Sequence, residues 1–186
     1  DFGKINTNWK FLIENFIEPY HVQFVHKTTT NQPLKDHYTI VDGICYGSGV
    51  DVKQEDNKNS SALSVTSRYL SLFPNFIIGT YFPNQIGVYL NVPISPGVTS
   101  QKRIIYTTDG KDMSKEESDI VKKIWWSVHK EDHEMCERLQ EGRLSPASNQ
   151  GGLLSPYWEK GVQKFQKLII QATMKSSKTM KGKNNV

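Results

Sequence analysis

SKEESDIVKKIWWSVHKEDHEMCERLQEG, residues 114–142, is the stretch on which the fold turns. Ser114 followed by Glu117 is a capping box, in which a hydroxyl and a carboxylate satisfy the free backbone donors of a helix start. Apolar residues then recur at helical spacing: Ile120, Val121, Ile124, Trp125, Val128, Met135, Cys136 and Leu139. The pattern predicts one long helix to about Gln140, ended by Gly142. After Val128 the next buried position falls at residue 131 or 132, and both are acids, Glu131 and Asp132. Helical phase favours Asp132 and leaves Glu131 open. An unpaired carboxylate on a buried face costs on the order of several kcal/mol, so such a group has a partner, carries a proton or binds a metal.

The segments before this helix read as strands. Residues 37–52, 62–72, 75–82, 85–93 and 100–108 are rich in β-branched and aromatic residues. Pro83-Asn84-Gln85 and Ser95-Pro96-Gly97 supply turns, and residues 53–61 form a polar loop. At the start of the chain, Asn8 caps a helix expected to run to Ile17, with a buried stripe of Trp9, Leu12, Phe16 and Tyr20. Pro19 disfavours helical geometry at Glu18. A last helix is expected over residues 156–174, after a loop at 143–155. The order helix, antiparallel sheet, long helix, helix predicts an α+β fold. A curved antiparallel sheet would wrap around the long C-terminal helix and leave a cavity between them.

The chain has 186 residues, 37% of them hydrophobic and 23% charged, which suits one domain, expected over residues 1–174. No apolar run approaches the ~18 residues that cross a bilayer, so no membrane partner is expected. The net charge of +4 is accounted for by Lys175, Lys178, Lys181 and Lys183, with no acid after Met174. Residues 175–186 therefore read as a flexible basic tail on a neutral body. No basic stripe interleaved with aromatics marks a nucleic-acid site. Cys45 and Cys136 are too few and too far apart for a disulfide framework, so reduced thiols and a cytoplasmic location are expected. Asn59-Ser60-Ser61 matches a glycosylation sequon, which carries little weight without a secretory signal. The chain begins at Asp1 rather than Met, and an upstream portion is expected to precede it.

Two histidines give Asp132 a second meaning. His21 and His26 lie in ENFIEPYHVQFVH, residues 14–26, just past the break at Pro19. On a continuous helix five residues turn through about 500°, which points the two rings apart. An irregular segment can aim both at one point. Two imidazoles and one carboxylate are the set with which non-haem Fe(II) activates O2, leaving other positions open. Zinc accepts the same set. By itself the histidine pair is weak, because hydrogen-bonded core histidines are commoner than ligands.

The surrounding text carries more. Asn8-Trp9, Glu14-Asn15, Glu18-Pro19-Tyr20-His21 and Val25-His26 resemble the iron-binding signature of Rieske-type non-haem iron oxygenases. The closer likeness is to the catalytic domain of the ring-hydroxylating oxygenase alpha (large) subunit. Glu131-Asp132 with ERLQEG at 137–142 resembles its carboxylate-ligand helix, and Leu72-Phe73-Pro74-Asn75 and Asn91-Val92-Pro93 are similar too. The likeness covers nearly the whole chain. It implies a helix-grip fold of the START and Bet v 1-like kind. It implies His21, His26 and Asp132 as ligands of a mononuclear Fe(II), and Asn15 as a polar residue near the iron. It implies Glu18 as an acid bridging the iron to a Rieske [2Fe–2S] cluster on a neighbouring subunit of a homo-trimer. The family's Rieske domain holds its cluster with Cys-x-His and Cys-x-x-His, which Cys45 and Cys136 cannot supply. The cluster is therefore expected on a missing upstream domain or a partner, and the chain alone is expected to be inactive.

The function this implies is hydroxylation of an aromatic or other small organic substrate with O2, as a mono- or dioxygenase. Electrons would come from NAD(P)H through a ferredoxin or reductase and the Rieske cluster. Phe76, Tyr81, Phe82 and Tyr89 are candidate pocket residues. The His26-Lys27 pair is slightly similar to the choline-oxidising branch, which does not decide the substrate. Two rivals stand beside this reading. One is a non-catalytic helix-grip domain that binds a lipid or another apolar ligand. The other is a zinc hydrolase with Glu18 as general base.

Overall fold

Residues Lys115–Arg143 form a single helix of 29 residues, and the rest of the chain is arranged to cover one of its faces. The structure, a computed structural model, describes residues 1–30, 32–52, 66–81 and 84–183, with side chains as far as Ser176. In chain order the elements are β1 (Gly3–Ile5), α1 (Trp9–Ile17), α2 (Val22–Val25), β2 (His37–Asp42), β3 (Cys45–Val50), β4 (Ser67–Leu72), β5 (Phe76–Tyr81), β6 (Gln85–Ser95), β7 (Val98–Thr107), α3 (Lys115–Arg143) and α4 (Lys160–Lys183). Short 3-10 turns lie at Leu34–Asp36 and Pro146–Gln150. The strands make one seven-stranded antiparallel sheet in the order β1-β7-β6-β5-β4-β3-β2. From β2 to β7 it is the expected meander, and the whole is the expected α+β helix-grip fold.

Local chemistry accounts for most boundaries. Asn8 caps α1 by accepting from the Lys10 N–H. Both halves of the Ser114–Glu117 capping box are formed at α3. Gly43, at φ 55°, turns β2 into β3, so the predicted 37–52 strand is a hairpin. Strand β1 was not expected; it pairs with β7 through Gly3↔Gln101. Gly142 does not end α3. It lacks a positive φ, and the Leu144 N–H instead closes on the carbonyls of Glu141 and Gly142. The last helix starts at Lys160 rather than Pro156, because Ser155 and Glu159 exchange bonds in a turn. It continues beyond Met174 to Lys183, so the tail expected from residue 175 prolongs the helix. The predicted polar loop at 53–61 with its sequon, the start of the 62–72 strand, and Phe82 and Pro83 lie outside the described residues.

The core joins all layers. Ile13 and Ile17 of α1 pack with Tyr46, Ile77 and Tyr89 of the sheet and with Val162 and Phe165 of α4. A second cluster joins Ile5 and Leu12 to Cys136, and a third joins Tyr81 to Trp125 and Val128. The apolar face of α3 is narrower than its sequence suggests. Trp125, Val128, His129 and Cys136 are buried, whereas Ile120, Ile124 and Leu139 are exposed. Tyr20, expected in the stripe of α1, is also exposed, since the helix stops three residues earlier. α4 lies tightly on β3 at Gly161, where a Cβ would sit 3.4 Å from the Gly47 nitrogen. Among the described residues, no helix is long and apolar enough to cross a membrane.

Candidate metal centre

The break after α1 builds half of the site. Glu18 ends the helix in extended geometry (φ −109°, ψ 141°), as the following proline demands. Its carboxylate accepts from the backbone N–H groups of Tyr20 and His21, the latter at 3.2 Å, and lies 2.5 Å from His21 Nδ1. A single helical turn, α2, then separates the two histidines: His21 is its N-cap and His26 its C-cap. The rings meet edge to face, 5.2 Å apart at 75°. This local turn is the irregularity that lets a five-residue spacing converge.

α3 supplies the other half, more than a hundred residues away. His26 Nδ1 lies 2.8 Å from Glu131 Oε2, which also accepts from Thr29 Oγ1 at 2.7 Å. With both Nδ1 atoms engaged by carboxylates, both Nε2 atoms face one oxygen. His21 Nε2 is 3.5 Å and His26 Nε2 3.1 Å from Asp132 Oδ1. Asn15 Nδ2 donates to that same oxygen at 2.9 Å. The two candidate acids thus divide the work: Asp132 faces the imidazoles' free nitrogens, and Glu131 stands behind His26.

The donor set fits a first-row divalent metal. An ion about 2.1 Å from each ligand, with ligands at right angles, puts ligand atoms about 3 Å apart. The observed 3.1 and 3.5 Å are close to that, and all three ligating atoms lie within 4.8 Å of one another. A histidine that gives its second N–H to a carboxylate while its other nitrogen faces the metal position is the usual supporting arrangement of such sites. Electrostatics agree. Burial alone would lower the pKa of His21, but the Glu18 charge and then Asp132 outweigh it and lift it to about 10. His26 is raised against burial chiefly by its bond to Asp132. Burial would raise Asp132, yet its bonds to the two histidines hold it well below the usual carboxylate range. The cluster is set to hold positive charge between imidazole and carboxylate.

Several further residues stand beside the triad. His129, buried one turn before Asp132, places Nδ1 3.9 Å from Asp132 Oδ2. Burial and then Arg103 keep its pKa well below normal, so it is neutral and its Nε2 accepts from Arg103 Nη1 at 3.0 Å. The α3 periodicity would have found His129, since it shares a face with Trp125, Asp132 and Cys136. His37, Thr30 and Arg103 are brought in by the sheet and the loop after α2, which helical spacing does not address. The cavity beside the triad is walled by Phe16, Tyr69, Tyr81, Tyr89 and Trp125. Two expected pocket aromatics, Tyr81 and Tyr89, are among them. Phe76 is 44% exposed and outside it.

Comparison with known proteins gives the family. Residues 3–174 match the family model described as ring hydroxylating alpha subunit (catalytic domain). Choline monooxygenase of Atriplex hortensis chloroplasts is 28% identical over 165 residues, spanning 87% of this chain and 36% of the relative. The Spinacia oleracea counterpart is 23% identical over 177 residues, spanning 92% and 39%. The chain thus covers little more than a third of the length of these relatives. Among solved structures, the quaternary ammonium Rieske monooxygenase CntA aligns with a TM-score of 0.70 at 18% identity, over 90% of this chain and 46% of that one. Dicamba monooxygenase aligns with a TM-score of 0.71 at 15% identity, over 94% and 57%. These structures share the fold, and the match to the family model covers nearly the whole sequence. The chain belongs to the ring-hydroxylating alpha-subunit catalytic-domain family.

Proposed function

We propose that the chain is the mononuclear-iron part of a Rieske-type monooxygenase acting on a small organic substrate, with His21, His26 and Asp132 as the iron's protein ligands. The observation that carries this reading is the convergence of two Nε2 atoms on Asp132 Oδ1, each ring tied through Nδ1 to its own carboxylate. When bound, a ferrous ion on two imidazoles and one carboxylate supplies O2 activation at its open positions. The chain's own part is positional. Glu18 and Glu131 fix the tautomer and direction of the two rings, Asn15 orients Asp132, and the aromatic wall excludes water.

Electrons would reach the site from NAD(P)H through a ferredoxin or reductase and a [2Fe–2S] cluster held outside this chain. Glu18 suits the bridging role on a neighbour's side, since it touches His21 at the edge of the site beside the exposed Tyr20. A homo-trimer would bring that neighbour. The relatives and structural neighbours named above are monooxygenases, which favours insertion of one oxygen atom over two. The zinc-hydrolase reading is disfavoured because Glu18 already holds His21 and two backbone N–H groups and is not free as a base. A metal-free ligand carrier gives no reason to align two histidine–carboxylate pairs on one oxygen.

Iron analysis of protein prepared anaerobically tests this. Stoichiometric Fe(II) is expected, lost in His21→Ala and Asp132→Ala while the circular dichroism of the fold persists. Folded wild-type protein that takes up no Fe(II), or variants that bind it as well as wild type, would contradict the reading.

A further inference from the structure

The cavity has two poles that the triad does not use. The first is its aromatic wall. Tyr81, Tyr89 and Trp125 line the cavity, and such rings are the usual makings of a box for a quaternary ammonium group, held by cation–π attraction. Arg103, which does not itself line the cavity, engages these same rings. Arg103 Cζ lies 3.7 Å from the Trp125 ring centre, 4.7 Å from that of Tyr89 and 5.2 Å from that of Tyr81. The sheet is built for this. A Cβ at Gly87 would come within 2.7 Å of Arg103 Nη2, so glycine there leaves the guanidinium its room. Nη1 is committed to His129. Among the described residues no carboxylate forms an ion pair with Arg103, which leaves its charge balanced mainly by the rings.

The second pole is polar and uncharged. His37, 7% exposed, and Thr30 line the same cavity. Both ring nitrogens of His37 and the Thr30 hydroxyl are buried without a hydrogen bond of normal geometry. Burial pushes the His37 pKa down to about 4, and a weak hydrogen bond with the Gln32 backbone offsets this only in part, leaving most of the ring's bonding capacity open. The ring is therefore neutral at pH 7 and offers one donor and one acceptor. Buried polar groups are nearly always paired, because leaving them unpaired is costly. A cluster left unpaired in a cavity wall is explained by a ligand that completes it.

Resting on the oxygenase reading of the triad, we propose that this site takes an uncharged molecule and discriminates against the quaternary ammonium compounds for which its relatives are named. The ligand's apolar body lies against the aromatic wall, and its hydroxyl or carbonyl group bonds to His37 and Thr30. A cation would meet rings already engaged by Arg103, in a low-dielectric site where like charges repel strongly.

Choline and 3,3-dimethylbutan-1-ol test this directly, since they share shape and hydroxyl and differ in the charge of one centre. Calorimetry on the anaerobic iron-loaded protein should find the alcohol binding about tenfold or more tighter than choline. Arg103→Met should erase most of that preference, while Arg103→Lys, which keeps the charge, should retain it. His37→Phe and Thr30→Val should each weaken the alcohol about tenfold with iron content unchanged. Choline binding as tightly as the alcohol, an unchanged preference in Arg103→Met, or no binding of either compound would overturn the proposal. Iron content of the same samples reports separately on the triad. Protein without iron that still prefers the alcohol would sink the oxygenase reading and leave the ligand class standing.

Discussion

His21 and His26 are set apart from ordinary core histidines by what their Nδ1 atoms touch. Each gives that nitrogen to a carboxylate from a different place, Glu18 just before it in the chain and Glu131 on α3. Glu131→Gln should therefore keep the fold yet weaken Fe(II) binding about 10–100-fold in an anaerobic titration, the usual cost of losing such support. Iron must also displace a proton from His21, whose pKa stands near 10 against 6.5 in an unfolded chain. Iron affinity should rise with pH across that window, by up to about tenfold per unit for each proton released. His37 behaves in the opposite sense. Its folded pKa of about 4 lies below the unfolded 6.5, so the unfolded chain binds more protons between those values. Stability should fall as pH drops from about 6.5 through 4, by at most about 3 kcal/mol from this group. Urea unfolding of wild type and His37→Phe at both ends of that range measures it, and the variant should lack this share of the acid sensitivity.

Helix boundaries governed by local chemistry were legible in the sequence, and those governed by packing were not. Asn8, Pro19 and the Ser114–Glu117 box act on backbone groups within a turn, and the structure follows them. Ser114→Ala should lower stability by about 1 kcal/mol in urea unfolding. Gly142 looked like a stop but lies inside α3 without a positive φ, and the helix closes beyond it, where the Leu144 N–H reaches the carbonyls of Glu141 and Gly142. The exposure of Ile120, Ile124 and Leu139 shows that α3 meets the sheet along one narrow face, a matter of how the sheet curves rather than of the helix sequence. β1 is only three residues long and owes its existence to the free edge of β7. The seat of α4 on β3 depends on Phe165, fully buried against Tyr46, and on glycines at the contact. Phe165→Ala should cost about 3–5 kcal/mol. Gly47→Ala should also be severe, since its Cβ would fall 1.8 Å from the Tyr69 carbonyl oxygen. Thermal unfolding ranks the two against wild type.

Across the whole molecule, the site exists only where the break after α1 meets α3, held in register by a sheet that touches neither set of ligands in sequence. The order of elements, and the three candidate ligands that the structure brings together, could be read from the chain because each leaves a local mark: a cap, a proline, an acid on an apolar stripe. The cavity's character could not, because His37 and Thr30 come together with the rings that Arg103 engages only when the sheet and helices pack. One ion joining the two halves should stabilise the fold, by about 4 kcal/mol at a free Fe(II) concentration a thousand times Kd. The most direct test of the central claim is a crystal grown anaerobically with Fe(II) and measured at the iron absorption edge. The account predicts one anomalous peak about 2.1 Å from His21 Nε2, His26 Nε2 and an Asp132 carboxylate oxygen, with other coordination positions free of protein. A peak at any other place, or one in which Glu131 replaces Asp132, would contradict it.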